Sequence, residues 1–569
     1  MYIRVVKTKV VERMSGLERR YSLPDSLKVQ QTRNVNEITT RQYEAVSFEE
    51  MPEKLLPSSF WRDRFVELGL ILSMALYYVV GNTHLQIPVL PSLFMRITHV
   101  SPLLSLPFLL IFAVLCWFRL PFAVALLPLS LPYYLLQKTV YSHYNFSLVE
   151  IALWTTVAVV LLQILVQREH WPYWRSFRQL RDDFGPFLWP ILVFTAAAAF
   201  SIIIAYAHTT ALRAFREEVF DPLVYVVLVF ACLRTRQDIV RLLAALIGCG
   251  LIIALLGLIQ FFFFKHTLVL ESDGIRRVHT VYGSANSIGL LFDYTLPVAI
   301  AWLLGKVPPR SRLLALLLCI PMAIVLYLTQ SHGAWVAIPV AALFIAALSV
   351  RNRTVLMVGG IVVVVVLFVG LFSFHDKLFN FLIQGHTNQQ HISTLTKRYY
   401  LWLTALRMIQ ARPWFGFGMD NWLCYYSLNN ICNAHQFHYW IVSYPPHTGI
   451  DTGLREEPTL SHPHNIFLQI WVSMGIFGLL AFVAMLVLYF RLFTRLLKHL
   501  PTLNPAVGEQ LRWMTIGVGG AMVAALVQGM VDSSFLEQDL AFCFWILVVV
   551  LLLVRTKAAL AWNETKKPG

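Results

Sequence analysis

The feature that most constrains this chain is a series of long apolar runs, which recurs from residue 65 to the C-terminus. A helix that crosses the hydrocarbon core of a bilayer needs about 20 such residues, because each residue adds about 1.5 Å and the core is about 30 Å thick. Only 14% of the 569 residues are charged, against about 25% in soluble chains. We therefore expect an all-α, polytopic integral membrane protein rather than a soluble or disordered one.

The apolar runs give 14 candidate spans, and the range we expect is 12 to 14. The runs 102–118, 121–137 and 219–233 are short enough to be tilted or re-entrant. The candidate spans are 65–81, 102–118, 121–137, 148–166, 187–207, 219–233, 239–264, 285–304, 312–330, 333–349, 355–374, 464–490, 511–531 and 540–555.

The positive charge has a topological explanation. The chain has 46 Lys and Arg against 31 Asp and Glu, a net charge of +15. In a soluble protein this excess of positive charge suggests binding to nucleic acid. In a membrane protein it reflects Lys and Arg residues concentrated in cytoplasmic loops. If the N-terminus is cytoplasmic, alternate loops are cytoplasmic, and these loops carry the basic residues. The loop near 532–539 falls on the other side of the membrane, and all of its charged residues are acidic. The pattern predicts that both termini are cytoplasmic. The inner basic residues include Arg168, Arg175, Arg178, Arg181, Arg234, Arg236, Lys306, Arg310, Arg312, Arg351, Arg353, Arg491, Arg495, Lys498, Arg555, Lys557, Lys566 and Lys567.

This topology divides the chain into six regions. The one large outer loop is much longer than an ordinary connector, so we expect it to be functional. The N-terminal region is a basic cytoplasmic tail without the apolar segment of a signal peptide. The regions are the tail 1–60, N-terminal transmembrane helices 61–186, a transmembrane core 187–374, the outer loop 375–463, C-terminal transmembrane helices 464–555 and a cytoplasmic tail 556–569.

Several arginines break the positive-inside pattern because they fall on the predicted outer face. A guanidinium recognises phosphate in a planar, bidentate way, so several of them on one face suit a lipid diphosphate. The alternative is that they extend towards lipid headgroups or pair with Glu217 and Glu218. The outer arginines are Arg213, Arg216, Arg276, Arg277, Arg398, Arg407 and Arg412.

A second group of residues lies in the segment "SHPHNIFLQIWVSMGIFGLL", where His464 stands at the outer end of a predicted span. An imidazole at a wet boundary is a candidate general base. Gly475 and Gly478 would let another helix approach closely. An interfacial histidine and an ordinary packing face explain the same residues equally well.

Metal and disulfide chemistry have weaker support. His462 with His464, or His435 with His438, offers two ligands, but no Cys or carboxylate at usual spacing completes a set, so we predict no metal. Cys424 and Cys432 share the outer loop and are either bridged or free.

Two further features remain open from the sequence. Asp293 is a lone carboxylate inside a predicted span, where Asn286 or Tyr294 could satisfy it. The segment "TKRYYLWLTALRMIQARPWFGFG" predicts an amphipathic helix that ends before Pro413. That helix lies either on the outer membrane surface or inside the loop domain.

Together these segments resemble the O-antigen ligase/O-antigen polymerase superfamily over about residues 200–550. The most specific part is a His-Asn-x9-Gly-x-x-Gly signature, fulfilled by His464, Asn465, Gly475 and Gly478. One departure is Ser331-His332, where family members often carry Ser-Arg. The supporting segments are "ALRAFREEV", "RRVHTVYGSAN" ending at Asn286, "LTQSHGAW", the Arg398 helix leading into "PWFGFG", and "GMVDSSF" with Asp532.

The resemblance implies a GT-C-like membrane glycosyltransferase of inverting type, without metal or cofactor. The donor would be a glycan on undecaprenyl diphosphate at the outer leaflet of the bacterial cytoplasmic membrane. The acceptor would be a hydroxyl of a glycolipid, glycan or protein. His464 would be the catalytic residue, and Asn465, Gly475, Gly478, Asn286 and Asp532 would be motif residues. The diphosphate ligands would be Arg213, Arg216 and Arg277, with Arg276 and Arg398 secondary.

Competing interpretations remain at this point. Within the superfamily, the acceptor decides between a ligase, a polymerase and a protein O-oligosaccharyltransferase. A transporter or flippase for lipid-linked sugars would be expected to show paired halves or charged residues within spans. A non-catalytic scaffold for polysaccharide assembly is a third class.

Overall fold

Helices account for most of the apolar runs in the computed structural model. Trp61–Gly569 form one compact unit. The structure describes residues 60–83, 85, 98, 100–141, 144–167, 176–270, 276–350, 352, 354, 357, 360, 394–426 and 462–565.

The described residues form seventeen α-helices. They are α1 Phe60–Val79, α2 Leu106–Phe118, α3 Leu120–Leu126, α4 Leu148–Gln167, α5 Phe177–Phe184, α6 Leu188–Ile204, α7 His208–Phe215, α8 Asp221–Cys232, α9 Arg236–Phe263, α10 Ala285–Leu304, α11 Pro309–Leu328, α12 His332–Ser349, α13 Thr394–Ala411, α14 Trp422–Tyr426, α15 Ile466–His499, α16 Pro505–Gly529 and α17 Gln538–Thr565.

The strands in the described residues form two short antiparallel hairpins. The first pairs β1 (Lys138–Tyr141) with β2 (Tyr144–Phe146), and the second pairs β3 (Val269–Leu270) with β4 (Arg276–Arg277). Lys138 is 1% exposed, and its ammonium group donates to the carbonyl of Val80 at 2.8 Å. These hairpins are small additions to a helical protein, so the predicted all-α class is confirmed.

Nine helices in the described part of the chain are long and apolar enough to cross a membrane. Each coincides with a predicted span, which confirms the polytopic membrane architecture. They are 148–167, 178–204, 236–263, 285–304, 309–328, 332–349, 466–502, 505–529 and 538–561.

The remaining predicted spans have different outcomes. Helix α1 covers residues 65–79 of the predicted span 65–81. Its first turns carry Asp63 and Glu67, so it is not apolar enough to count among the candidate membrane-spanning helices. The runs 102–118 and 121–137 form a helix pair bent by 118°, as in a broken or re-entrant span. The predicted span 355–374 lies outside the described residues, apart from Met357 and Gly360.

The predicted span 219–233 is the second half of a continuous helix. Helix α7 passes through a π-helical turn at Arg216–Phe220 directly into α8. The first half of this helix carries Arg213, Arg216 and Glu217, which explains why the sequence predicted an outer loop there. A π-turn is a rare insertion in a helix and is frequent at functional sites.

Polar contacts join loops that the sequence placed on the same side of the membrane. On the predicted inner side, Lys306 pairs with Glu509, and Arg236 donates to Gln510 at 3.3 Å. On the predicted outer side, Tyr134 donates to Glu537 at 3.0 Å. These pairings support the predicted alternation of loops. Which face is cytoplasmic stays a prediction.

The core of the unit is α17, whose apolar window is 89% buried. Its sequence is apolar on all sides, as expected for a helix surrounded by other helices. Helices α6, α11 and α12 are only 28% buried and present the lipid-facing surface of the described unit. The turn between α16 and α17, which holds Asp532, lies at the start of this buried helix, on the predicted outer side.

Candidate active site

The loop directly before α15 presents His464. Asn465 caps this helix, because its side-chain oxygen accepts from the backbone N–H of Phe467 at 3.0 Å and of Leu468 at 3.1 Å. Its amide group also donates to the carbonyl of Met530 at 2.9 Å. His464 has φ +51°, a left-handed conformation that a bulky residue rarely adopts. Asn465 thus ties the His464 loop to the turn after α16.

That turn supplies the partner of His464. The Nδ1 of His464 lies 2.8 Å from Oδ1 of Asp532, which is 3% exposed. An ionised carboxylate only accepts hydrogen bonds, so the imidazole proton sits on Nδ1 and the lone pair of Nε2 is free to accept a proton. The backbone N–H of Ser533 also donates to Oδ1 of Asp532, at 2.9 Å. The pair has the geometry of a general base held by a carboxylate.

Arg398 on α13 completes this group. Its Nη2 lies 3.6 Å from Oδ2 of Asp532, and its side chain is 13% exposed. Burial by itself would raise the pKa of Asp532, but the charge and hydrogen bond of His464 outweigh it, and the Arg398 guanidinium adds to them. The pKa of Asp532 is therefore held well below its usual range, and the carboxylate stays ionised at neutral pH. Three predicted residues, His464, Arg398 and Asp532, meet here from distant parts of the chain.

Gly475 has a different role from the helix packing that its spacing predicted. Its φ is +71°, and α15 bends sharply there. Phe467 and Phe482 have ring centroids 6.0 Å apart, although a straight helix would separate residues at that spacing by about 22 Å. Residues 466–474 are thus a separate helical arm that carries His464 at its start, and 476–499 is the span.

The "PWFGFG" segment docks against this bend through its backbone. The N–H groups of Phe417 and Gly418 donate to the carbonyls of Val472 and Ser473, at 2.7 and 3.0 Å. These are orphan carbonyls at the end of the arm, which the docking satisfies. Gly416 has φ +73°, and a Cβ on it would lie 2.4 Å from the carbonyl oxygen of Val472. Glycines on both sides therefore allow two backbones to touch.

The amphipathic helix predicted before this segment is α13. Its apolar face packs inside the described unit against Phe417 and Val472. This is the second of the two alternatives that the sequence left open. The buried residues of that face are Leu401, Ala405, Met408 and Ile409.

The first pair of outer arginines makes the ion pairs that the alternative reading expected. Arg213 Nε lies 2.9 Å from Oε1 of Glu217, and Arg216 Nη2 lies 2.9 Å from the same oxygen. Arg216 also pairs with Glu150 at 2.6 Å. The side chain of Arg213 is nevertheless 59% exposed and that of Arg216 is 37% exposed, so both are open to an anionic ligand.

The second pair lies on β4, where strand alternation points the two side chains to opposite faces. Arg276 is exposed, and Arg277 is 9% exposed. The Arg277 guanidinium donates to the carbonyl of Thr329 and to Oδ1 of Asn286, both at 2.6 Å. Asn286 thus fixes Arg277, a relation that the segment they share did not reveal.

Carboxylates next to His462 were missed by the sequence reading. Glu537 Oε1 lies 3.9 Å from Nε2 of His462. Burial raises the pKa of Glu537, and the nearby carboxylate of Asp539 raises it further. Burial, with a smaller contribution from His464, lowers the pKa of His462 to about 3, so this imidazole is neutral. The acidic outer loop 532–539 was the signal that could have found this group.

These carboxylates extend towards the first arginine pair. Burial raises the pKa of Glu218 well above its usual range, and Asp420 and Glu537 raise it further. Asp420 and Glu537 are therefore electrostatic neighbours of Glu218, which follows Arg216 and Glu217 in the π-turn. Through Glu218 and Glu537, the His464 group and the helix that carries Arg213 are electrostatic neighbours on the predicted outer side.

The sequence showed no carboxylate at the usual spacing from these histidines, but the fold brings one next to them. His462, His464 and Asp532 offer ligand atoms that lie within 4.8 Å of one another. Spacing along the sequence could not show this, because Asp532 comes from a different helix connection. His435 and His438 lie outside the described residues.

Two other sequence hypotheses have plain outcomes. Asp293 is 0% exposed, and neither of its oxygens has a hydrogen-bond partner among the described residues. Asn286 and Tyr294, the two partners that the sequence suggested for Asp293, bond elsewhere. The side-chain oxygen of Asn286 accepts from Arg277, and the hydroxyl of Tyr294 donates to the carbonyl of Ser534. Cys424 is buried and disulfide-bonded, so it is not a free thiol. Cys432 lies outside the described residues, and its role as the partner stays a prediction.

Comparison with known proteins adds the decisive observation. Residues 316–483 match the family model described as O-antigen ligase. Residues 316–483 carry an O-antigen ligase domain. The match includes Arg398, His464, Asn465, Gly475 and Gly478, and it confirms the resemblance drawn from the sequence. No curated protein matches the chain.

The O-antigen ligase domain defines the general role of the protein. It is a multi-pass membrane protein with a glycan-processing function in O-antigen-type polysaccharide biosynthesis. The family indicates a glycosyltransferase-like enzyme that uses a lipid-linked glycan donor and an acceptor. Asp532 lies outside the matched residues, and only the fold brings it to His464.

Proposed function

We propose that this protein transfers an oligo- or polysaccharide from undecaprenyl diphosphate to an acceptor hydroxyl, on the outer face of the bacterial cytoplasmic membrane and with inversion at the anomeric carbon. The observation that carries the proposal is the buried His464–Asp532 pair, with Nδ1 and Oδ1 2.8 Å apart, inside an O-antigen ligase domain. Ligase activity is the leading form, and a polymerase would use the same groups.

The chemistry is a single displacement. Nε2 of His464 takes the proton of the acceptor hydroxyl while its oxygen forms a bond to the anomeric carbon. The bond from that carbon to the diphosphate oxygen breaks, and lipid diphosphate leaves with the electron pair. Asp532 stabilises the imidazolium that results, because its carboxylate is ionised and already bonded to Nδ1. Attack from the side opposite the leaving group inverts the configuration.

The leaving diphosphate needs positive charge fixed in advance. Arg277 is held by two hydrogen bonds of 2.6 Å, and Arg213 and Arg216 are held by Glu217. Guanidinium groups that are already positioned lose little freedom when an anion binds. This supports Arg213, Arg216 and Arg277 as diphosphate ligands, with Arg276 and Arg398 in secondary positions.

An apolar groove could bind the lipid part of the donor. The groove has a volume of about 530 Å³. One end of its lining is Phe467, three residues after His464, so an isoprenoid chain lying in the groove would bring its headgroup towards the His464 loop. The lining residues are Phe467, Val483, Leu486, Val487, Phe490, Arg491 and Thr494.

The proposal is tested with the purified full-length protein, a lipid-diphosphate-linked glycan and a panel of acceptors. We expect a glycan product whose new linkage has the opposite anomeric configuration to the donor, read by NMR. Transfer to lipid A core defines a ligase, extension of the glycan defines a polymerase, and a modified protein hydroxyl defines an O-oligosaccharyltransferase. ATP-independent movement of the donor across vesicles without any transfer would favour a flippase instead.

Asp532→Asn should lower kcat about 10- to 100-fold with little change in the acceptor KM. The amide keeps the size of the carboxylate but loses a charge-assisted hydrogen bond, which contributes about 1.5–3 kcal/mol. Steady-state kinetics with varied acceptor measure the two constants. An unchanged kcat would show that Asp532 does not support His464.

Arg277→Ala should weaken donor use more than Arg310→Ala. Arg277 is on the predicted outer side next to Asn286, whereas Arg310 is an exposed residue at the start of α11 on the predicted inner side. The measurement is kcat/KM for the lipid-linked donor, with a melting temperature for each variant. Equal losses in donor use would count against the diphosphate role of Arg277.

A further inference from the structure

The three potential ligands His462, His464 and Asp532 form a compact group. Their ligand atoms all lie within 4.8 Å of one another. The two imidazole rings have centroids 4.4 Å apart and an angle of 70° between their planes. His462 is 8% exposed and Asp532 is 3% exposed, so both side chains are already ordered by burial.

The donor set selects the kind of ion. Two imidazole nitrogens and one carboxylate oxygen are a ligand set that zinc uses, with a fourth position open to water. Magnesium and calcium prefer sites made of oxygen atoms. In a tetrahedral zinc site the ligand atoms lie about 3.4 Å apart, since each bond is about 2.0–2.1 Å. To bind zinc, the distance of 2.8 Å between Nδ1 of His464 and Oδ1 of Asp532 must increase slightly. The other distances between the ligand atoms, which reach up to 4.8 Å, must decrease.

Arg398 limits this site but does not occupy it. Its contact is with Oδ2 of Asp532, whereas His464 uses Oδ1. A zinc ion on Oδ1 and on Nδ1 of His464 would replace the Nδ1 proton and leave the guanidinium in place. The positive charge of Arg398 repels the ion. Zinc would therefore bind weakly and reversibly here, and not as a permanent structural ion.

We propose that His462, His464 and Asp532 form a zinc site that inhibits glycan transfer. This role rests on the proposed function. Zinc on Nδ1 places the proton of the neutral ring on Nε2, and that nitrogen can then no longer accept the proton of the acceptor hydroxyl. The group that acts as the base in the free enzyme becomes a metal ligand when zinc is bound.

The experiment titrates zinc chloride into the metal-free full-length protein in detergent, with calorimetry as the readout. His462→Ala removes one ligand, and Asp532→Asn keeps the side-chain shape but removes the anionic ligand. His266→Ala is the matched control, because His266 is an exposed histidine on the same predicted face. We expect one site in the wild type and the control, and at least a tenfold weaker affinity in the two ligand variants. Size-exclusion profiles check that each variant is folded.

The activity arm separates the site from the reaction. Zinc should inhibit wild-type transfer, and excess EDTA should restore it. Equal zinc affinity in the wild type and both ligand variants would overturn the site. Activity that is lost with EDTA and restored by zinc would overturn the inhibitory role. A protein that binds zinc as expected but transfers glycan to no acceptor would keep the site and refute the proposed function.

Discussion

His464→Ala is expected to reduce glycan transfer by about 10²- to 10⁴-fold, the contribution of a positioned general base. The substitution removes the only group in the proposed mechanism that takes the acceptor proton. The measurement is the transfer rate of purified protein with a saturating lipid-linked donor.

Two controls make this result specific. His266→Ala should transfer at the wild-type rate, because that exposed histidine lies outside the His464 group. Added imidazole should partly restore transfer to His464→Ala, since it can enter the space of the lost ring and accept the proton. If His464→Ala transfers glycan at a rate within a few-fold of the wild type, His464 is not the general base of the reaction.

Gly475→Ala should destabilise the outer part of the protein by at least about 3 kcal/mol, from left-handed strain together with lost backbone hydrogen bonds. Gly475 has φ +71°, and a Cβ on it would lie 2.0 Å from the carbonyl oxygen of Trp414. That atom is backbone and cannot rotate away. The arm 466–474 must therefore separate from the "PWFGFG" segment, and His464 moves with the arm.

The measurement is a melting curve followed by size exclusion, together with the transfer assay. Gly283→Ala is the matched control, because a Cβ there has no neighbour within 4 Å and the residue has no positive φ. We expect a lower melting temperature and lost transfer for Gly475→Ala alone. Equal melting temperatures in the two variants would show that the bend tolerates a side chain.

Much of the architecture could be predicted because the membrane imposes it. The apolar window of α17 and the windows of the lipid-facing helices are alike in composition, so the sequence located both as spans. It could not distinguish the buried helix from the exposed ones. Its misreading of 208–218 as a loop has a clear cause, since charged residues in a helix on the predicted outer side look like a loop in hydropathy alone.

The sequence also predicted only part of the candidate site. The signature identified His464, Asn465, Gly475 and Gly478, but it suggested helix packing for glycines that in fact allow backbone contact at a bend. The ion pairs of Arg213 and Arg216 were foreseen as an alternative. The pairing of Arg277 with Asn286 needed coordinates, because the sequence singled out both residues but does not show which side chains meet.

The sequence by itself determined the membrane setting, the helical class and the resemblance to the O-antigen ligase family, because apolar length, charge bias and the His-Asn-x9-Gly-x-x-Gly spacing are local properties of the chain. Only the tertiary structure decided that Asp532 bonds His464, that Arg398 shares the same carboxylate, and that His462 makes the group a potential zinc site. These contacts join segments far apart in sequence. Helix packing sets their distances, and residue spacing does not encode them.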